Sequence, residues 1–417
     1  MQTMNILFVH QNFPGQFKHL APALARQGHH VVALHINDCP NVPGVKLVRY
    51  PVTGRPGSGT HRWLADLEVK ALRGEAAWHA AVKLRAQGFV PDVIVAHPGW
   101  GESLFLHQVW PQARLGIYCE FFYRQQGADV GFDLEFGSPD ADNACRLQMK
   151  NANYELHFPR AHAGIAPTHW QASLFPDPFK SRIAVVHDGI RTDQIQPDLS
   201  ARIRVQSPQG VLQLNKGEEV ITFVNRNLEP YRGYHQFMRA LPTILKARPQ
   251  ARVVIIGGNE VSYGAAPPPG PDGQAQTWRE IFLNEVKSEL DLSRVHFVGK
   301  VPYADFLRVL QVSTVHVYLT YPFVLSWSLL EAMSAGCAIV ASDTAPVREA
   351  IRHGETGQLV DFFDPAALAQ QVIALCNDPT ERASLGQQAR AFAVEHYDLE
   401  TRCLPRQMAW VERLADH

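Results

Sequence analysis

Apolar and polar positions along the chain fall into two series of short apolar runs separated by amphipathic stretches. The first series opens with Asn5-Ile-Leu-Phe-Val9 and a loop, Gln11 to Gln16. A helical period then places Phe17, Leu20, Ala23 and Leu24 on one side until Gly28 stops it, and Val31 to Leu34 is the next apolar run. Apolar strands without polar alternation, joined by a helix, belong to a parallel sheet covered on both faces. A Gly- and Pro-rich segment, Pro51 to Thr60, precedes a helical pattern from Arg62 to Gln87. Strands are then predicted at Pro91 to Ala96, Leu115 to Cys119, Gly164 to Ala166 and Ile183 to Val186.

The pattern loosens beyond Gln196, with turn residues at Ser207 to Gly210 and a hairpin-like Leu214 to Glu219, so a linker is placed near residues 190–200. The second series runs through a strand at Val220 to Val224, a helix at Tyr234 to Ala247 and a strand at Arg252 to Ile256. The Pro- and Gly-rich loop Gly264 to Gln274 is expected at the surface. A strand at Val295 to Val298, a helix at Ala304 to Gln311, a strand from Val315 and a buried helix from Ser326 to Gly336 follow. Cys337 to Ala341 and Gly357 to Val360 are further strands, and helices complete the chain. The expected fold class is α/β, with two doubly wound Rossmann-like domains facing a central cleft. Their expected extents are 1–195 and 196–395, with a C-terminal helix, 396–417, packing back on the first.

Composition narrows the function without naming it. The 417 residues carry a formal net charge of -1 with 19% charged residues, which leaves no basic footprint for nucleic acid. No apolar run approaches the roughly 18 residues of a membrane span. The N-terminus lacks the regions of a signal peptide, and the 6 cysteines show no metal-ligand spacing, so a reduced, cytoplasmic setting is expected. The first loop holds Gly15 alone, not the G-x-G-x-x-G of a dinucleotide site.

Two arginines, Arg226 and Arg232, follow the strand ending at Val224, where open α/β sheets bind ligands. Paired planar cations suit a diphosphate; the alternative is a surface ion pair with Glu229. The helix starting at Ser326 would add its N-terminal amides to the same anion. Glu331 lies a turn and a half inside that apolar helix, where a carboxylate needs partners: the hydroxyls of a ribose, or a buried cation. Gly299 and Val301 flank a loop whose backbone could meet a base. Trp100, Glu102, Glu120 and Tyr123 mix aromatic rings with carboxylates, which suits either sugar binding or domain packing. Asp140-Ala-Asp142 has a metal-binding form but follows a turn and reads as a helix start, so no metal is expected.

These segments resemble a retaining family 4 glycosyltransferase of the GT-B fold. Leu329-Leu-Glu331-Ala-Met-Ser-Ala-Gly336 is similar to that family's helix around the second glutamate of its Glu-x7-Glu motif. Asn225-Arg226 and Arg232-Gly233 resemble its phosphate-binding pair, and Phe297-Val-Gly299-Lys-Val-Pro302 its base-contacting loop. Leu7 to Gln16 resembles a bacterial subgroup associated with surface polysaccharide assembly. The resemblance implies that Arg226 and Arg232 stabilise the leaving diphosphate, Glu331 holds the ribose, and His97 contacts the transferred sugar or orients the acceptor. Gly15, Gln16 and Asn225 would approach the donor, as would the backbone of Val324, Leu325 and Ser326. It implies a metal-independent hexosyltransferase without cofactor. The donor would be a UDP-sugar ahead of a GDP-sugar, and the acceptor a saccharide or lipid-linked saccharide, with peripheral inner-membrane contact left open. Three departures stand out: Phe323 occupies the place of the first motif glutamate, Arg232 that of the usual lysine, and the arginine spacing is one residue longer. Phe323 keeps two other readings in play, a non-catalytic nucleotide-binding subunit and a sugar-nucleotide epimerase.

Overall fold

The computed structural model describes residues 2–138, 140–207, 210–271 and 273–416. Pro139, Pro208, Gln209 and Asp272, which fall in stretches read above as turns or loop, lie outside the described residues. The chain divides into two compact units, residues 1–189 with 399–417, and residues 190–398.

In the first unit the strands are β1 (Asn5–Val9), β2 (His30–His35), β3 (Val45–Arg49), β4 (Val93–Ala96), β5 (Arg114–Tyr118), β6 (Ala161–Ala166) and β7 (Ile183–Val185). They form one parallel sheet in the order β3-β2-β1-β4-β5-β6-β7. Helices α1 (Leu20–Arg26), α2 (Ala65–Ala86), α3 (Leu106–Val109), α4 (Ala141–His157) and α5 (His169–Ser173) connect them. The apolar runs predicted from the sequence are the central strands, whose side chains from Ile6 to Val9 and Val93 to Ala96 are fully or almost fully buried. Edge strand β3 was not legible: in Val45-Lys-Leu-Val-Arg49 only Val45 is buried, and exposed Lys46 and Arg49 break the apolar run where an edge strand meets solvent.

The second unit contains β8 (Arg202–Ser207), β9 (Gly210–Asn215), β10 (Val220–Asn227), α6 (Tyr234–Ala247), β11 (Arg252–Gly258) and α7 (Trp278–Val286). They are followed by β12 (Val295–Gly299), α8 (Tyr303–Val312), β13 (Val315–Tyr318), α9 (Trp327–Ser334), β14 (Ile339–Ser342), α10 (Ala345–Arg348), β15 (Gln358–Val360), α11 (Pro365–Asn377) and α12 (Pro379–Tyr397). Its six-stranded parallel sheet has the order β12-β11-β10-β13-β14-β15. Beyond the linker, the stretch read above as loosened in pattern forms the antiparallel ribbon β8–β9. Ile203 and Val205 face inward between exposed Arg202, Arg204 and Gln206, a period-2 pattern that the interleaved charges obscured. After Leu399–Cys403, the last helix, α13 (Leu404–Ala415), belongs to the first unit. Trp410, Val411 and Leu414 join the core around Ile6 and Phe8. Gly116 on β5 admits that helix, since a Cβ there would lie 2.5 Å from both Trp410 and Leu414.

Both sheets are doubly wound. The strand order reverses between β1 and β4 in one and between β10 and β13 in the other. Each reversal splays the following loops apart and leaves a crevice at the carboxyl ends of those strands.

Candidate functional site

At the β10/β13 reversal, the structure brings together three of the segments singled out from sequence. The register of β10 shifts between Val224 and Asn227, so Arg226 sits on the last residues of the strand, not in the loop beyond it. Its side chain is exposed, and among the described residues it makes no hydrogen bond or ion pair. The alternative partner, Glu229, is turned fully inward and accepts the Ser262 and Tyr263 amides at 3.1 and 3.2 Å. Asn225, beside Arg226, is half-buried.

Arg232 is held differently. It is buried in a short turn, Pro230–Arg232, and its Nη1 donates to Thr320 Oγ1 at 2.8 Å and to the Val324 carbonyl at 3.1 Å. Tyr263 and Phe323 lie 5.1 and 6.0 Å from its guanidinium carbon. Burial works against its charge, but Tyr318, Tyr263 and Glu229 together hold it firmly protonated. Gly233 follows at φ +67, where a Cβ would lie 2.3 Å from that of Leu319. Only glycine lets the turn pack so close to the end of β13.

Phe323 packs edge-on to Tyr231 and Tyr263, with centroids 5.5 and 5.0 Å apart, so an aromatic cluster stands where the family resemblance would put a carboxylate. Leu325 is buried in the core, while the Ser326 amide donates to Tyr318 Oη at 3.0 Å. Ser326 caps α9 through Ser328 N, and Glu331, 7% exposed, accepts from Tyr303 Oη at 2.6 Å. Tyr303 is 56% exposed, and its hydroxyl covers the carboxylate from the solvent side. Gly299 ends β12 at φ +69, and Val301 packs partly buried against the core, leaving its backbone at the surface of the loop.

At the β1/β4 reversal, a second set converges. His10 Nδ1 accepts the Asn12 amide at 3.0 Å, and His97 Nδ1 accepts that of Gly99 at 3.2 Å, which places the proton of both rings on Nε2. His10 Nε2 then donates to Gln16 Oε1 at 2.8 Å, and Gln16 Nε2 donates to Glu120 Oε1 at 3.1 Å. His97 Nε2 lies 3.3 Å from the other carboxylate oxygen, Glu120 Oε2. The carboxylate is therefore tied to His10 through a glutamine, while His97 stands beside it with no hydrogen bond to its Nε2 among the described residues. Burial, with His97 as a further cause, lowers His10 to about 3, so its ring is neutral. Trp100 stacks on His97 with centroids 4.3 Å apart, and Tyr118 covers it at 5.4 Å while donating to both Asp188 oxygens. Gly15 adopts φ +48, and a Cβ there would lie 2.4 Å from the His10 ring.

Glu102 is fully buried beside this set, with neither carboxylate oxygen hydrogen-bonded among the described residues. Burial raises it to about 7. Tyr123 lies further along the loop after β5, with the Lys150 ammonium over its ring. Asp140 caps α4 by accepting the Asn143 amide at 2.6 Å, and Asp142 takes the Trp63 indole N–H at 2.9 Å. Tyr303, Tyr263 and His10 were missed by sequence reasoning. Tyr303 opens the helix after the Gly299 loop and could have been suspected; nothing local marks Tyr263.

Two doubly wound units, each with polar side chains gathered at its strand-order reversal, define the GT-B class of fold. Residues 27–195 match the family model described as Glycosyl transferase family 4 group, and residues 208–392 that described as Glycosyl transferases group 1. The chain belongs to the family 4-like glycosyltransferases. It is 30% identical over 181 residues to D-inositol 3-phosphate glycosyltransferase of Corynebacterium efficiens, covering 43% of this chain and 38% of that protein. Its identity to the protein of that name from Streptomyces scabiei is 29% (61% and 53% covered). To the GDP-mannose-dependent alpha-(1-6)-phosphatidylinositol monomannoside mannosyltransferase of Mycolicibacterium smegmatis it is 26% (55% and 57% covered). The chain thus spans about half the length of the relatives it matches. Solved structures of the same fold include sucrose-phosphate synthase from Thermosynechococcus elongatus (TM-score 0.73, 16% identity, 99% of this chain and 100% of that one). Anabaena Alr3699/HepE in complex with UDP and glucose is another (TM-score 0.65, 16% identity, 99% and 100%).

Proposed function

We propose that the chain transfers a hexose, with retention, from a nucleoside diphosphate sugar to a saccharide or lipid-linked saccharide acceptor of the cell surface. The observation that carries this reading is Arg226: a cation with no partner among the described residues, at the carboxyl end of the strand beside the order reversal, in a chain of this family. With the buried Arg232 in the turn that follows and the N-terminus of α9 nearby in sequence to the loop Arg232 holds, negative charge building on a departing β-phosphate would meet fixed positive charge. Glu331 would take the ribose hydroxyls by exchanging its bond from Tyr303. His97 and Glu120 would hold the hydroxyls of the transferred sugar or of the acceptor. We take a UDP-sugar as the first donor to test and a GDP-sugar as the second, since one relative is by name GDP-mannose-dependent and one fold neighbour is by name a complex with UDP. No metal or cofactor enters this reading.

Release of nucleoside diphosphate from a panel of donors is the test. Arg226→Ala should lower turnover by about 10²–10³, the usual effect of removing one preorganised donor to a developing anion. The packing of Phe323 against Tyr231 and Tyr263 favours a second reading, a nucleotide-binding subunit without catalysis, because no carboxylate stands there to hold the donor sugar. Tight UDP binding with no turnover on any donor would establish that reading and overturn the first.

A further inference from the structure

The loop after β5 carries a feature used neither by the donor residues nor by the Glu120 network. Asn151 on α4, 5% exposed, clamps Tyr123: Oδ1 accepts the Tyr123 amide at 3.0 Å and Nδ2 donates to the Tyr123 carbonyl at 2.7 Å. A buried pair of such bonds holds the tyrosine in one orientation. One residue earlier, the Lys150 ammonium stands 3.7 Å from the centroid of the Tyr123 ring. Among the described residues that ammonium makes no hydrogen bond and no ion pair.

Its surroundings add positive charge. Lys70 on α2 donates to the Lys150 carbonyl at 3.3 Å and pairs with Asp66 at 2.7 Å. Among the described residues Arg146, one turn before Lys150 on α4, has the Asn143 amide oxygen, at 3.2 Å, and no carboxylate. Burial lowers Lys150 to about 8; Lys70 and Arg146 push the same way, while Asp66 and Asp129 oppose them. A ring face returns less to a cation than desolvating an ammonium costs. Three cations on two adjacent helices, with Asp66 committed to Lys70, leave a preorganised ammonium whose donors are unused.

We propose that Lys150, with Arg146 one turn away, forms an acceptor subsite for a sugar bearing an anionic group, a carboxylate or a phosphate ester, beside the ring of Tyr123. The acceptor being a saccharide rests on the function proposed above; the charge selectivity rests on this cluster alone. The test uses the full chain and three probes: methyl β-D-glucoside, methyl β-D-glucuronide and glucose 6-phosphate, with binding followed by saturation-transfer NMR and calorimetry. At least one charged sugar should bind about tenfold tighter than the neutral one, the effect of one good charge-assisted contact. The tighter of the two distinguishes a carboxylate from a phosphate acceptor. Lys150→Met should abolish the preference and Lys150→Arg should keep most of it. Equal affinity for charged and neutral sugars, or a preference that survives Lys150→Met, overturns the subsite. If Lys150→Met does not fold, the exposed Arg146→Gln decides: a loss of about threefold supports the subsite and no change overturns it. UDP binding on the same samples reports the donor reading separately. Its absence alongside intact charge selectivity would count against the transferase and leave the subsite standing.

Discussion

A carboxylate denied both solvent and a hydrogen-bond donor, as at Glu102, is held neutral by its surroundings. Burial is the main cause of its rise to about 7, against the pull of Arg73 and His97. Because the folded pKa lies above the ordinary 4.5, the folded state binds the extra proton between about pH 4.5 and 7. Stability from this group therefore falls as pH rises through that window, and the loss is complete above about 7. Two and a half units correspond to about 3 kcal/mol. Glu102→Gln should consequently stabilise the protein at pH 8 by a kcal/mol or more and leave it unchanged near pH 4.5, as denaturant midpoints at the two pH values will show. Gly15 has the opposite constraint. A Cβ there meets the His10 ring at 2.4 Å and sits at φ +48, so Gly15→Ala should cost about 2 kcal/mol and break the His10–Gln16–Glu120 chain. A thermal melt and kcat/KM for nucleoside diphosphate release read the two effects independently. From sequence, Glu102 and Gly15 could be picked out, but their reasons could not. Orphaned oxygens and a ring 2.4 Å away are properties of neighbours brought in by the fold.

The two arginines of the β10 turn show how one local motif serves two elements. Arg226 makes no hydrogen bond or ion pair among the described residues, whereas Arg232 ties the turn after β10 to Thr320 and Val324 in the loop after β13. Arg232→Met should therefore destabilise by about 2–3 kcal/mol, since it removes both bonds of a buried cation and leaves their acceptors to find others. It should also abolish turnover. Arg226→Ala should shift the thermal midpoint by no more than about 1 °C while lowering turnover, because an exposed, unpaired side chain contributes little to the folded state. Melting curves for the two variants, measured side by side, check the difference; equal destabilisation would refute the division of roles. That both arginines lie near the carboxyl end of a strand was legible from the apolar run ending at Val224. Which of them is structural was not, because Thr320 and Val324 are 88 and 92 residues away from Arg232.

At the scale of the molecule, four buried histidines set the response to acid. Burial lowers His10, His187 and His316 to about 3 and His157 to about 4. Their folded pKa values lie below the ordinary 6.5, so the unfolded state binds more protons once pH drops under about 6.5. Each contributes a loss of about 1.4 kcal/mol per pH unit until its folded pKa is reached. Three of the four lie in the unit of residues 1–189 with 399–417, and their combined loss exceeds the opposing gain from Glu102 in that unit, so it should unfold first on acidification. Guanidinium unfolding at pH 7.5 and 5.0 should show the first transition moving the further, and a uniform shift would contradict this. The sequence by itself determined the alternation of elements, hence two doubly wound units, and put Arg226, Arg232 and His97 at or near strand ends and Glu331 inside an apolar helix, because periodicity and turn chemistry are encoded within a window of some fifteen residues. The edge strand β3 and the β8–β9 ribbon escaped that window because half of each faces solvent. Only the tertiary structure decided that Glu120 meets Gln16 from 104 residues away, that Tyr303 covers Glu331, that Lys150 stands on the ring of Tyr123, and that α13 returns to the first sheet. Strand order sets those meetings: placing β4 beside β1 in one unit and β13 beside β10 in the other brings distant loops to a crevice in each, and no local pattern specifies which strands will be neighbours.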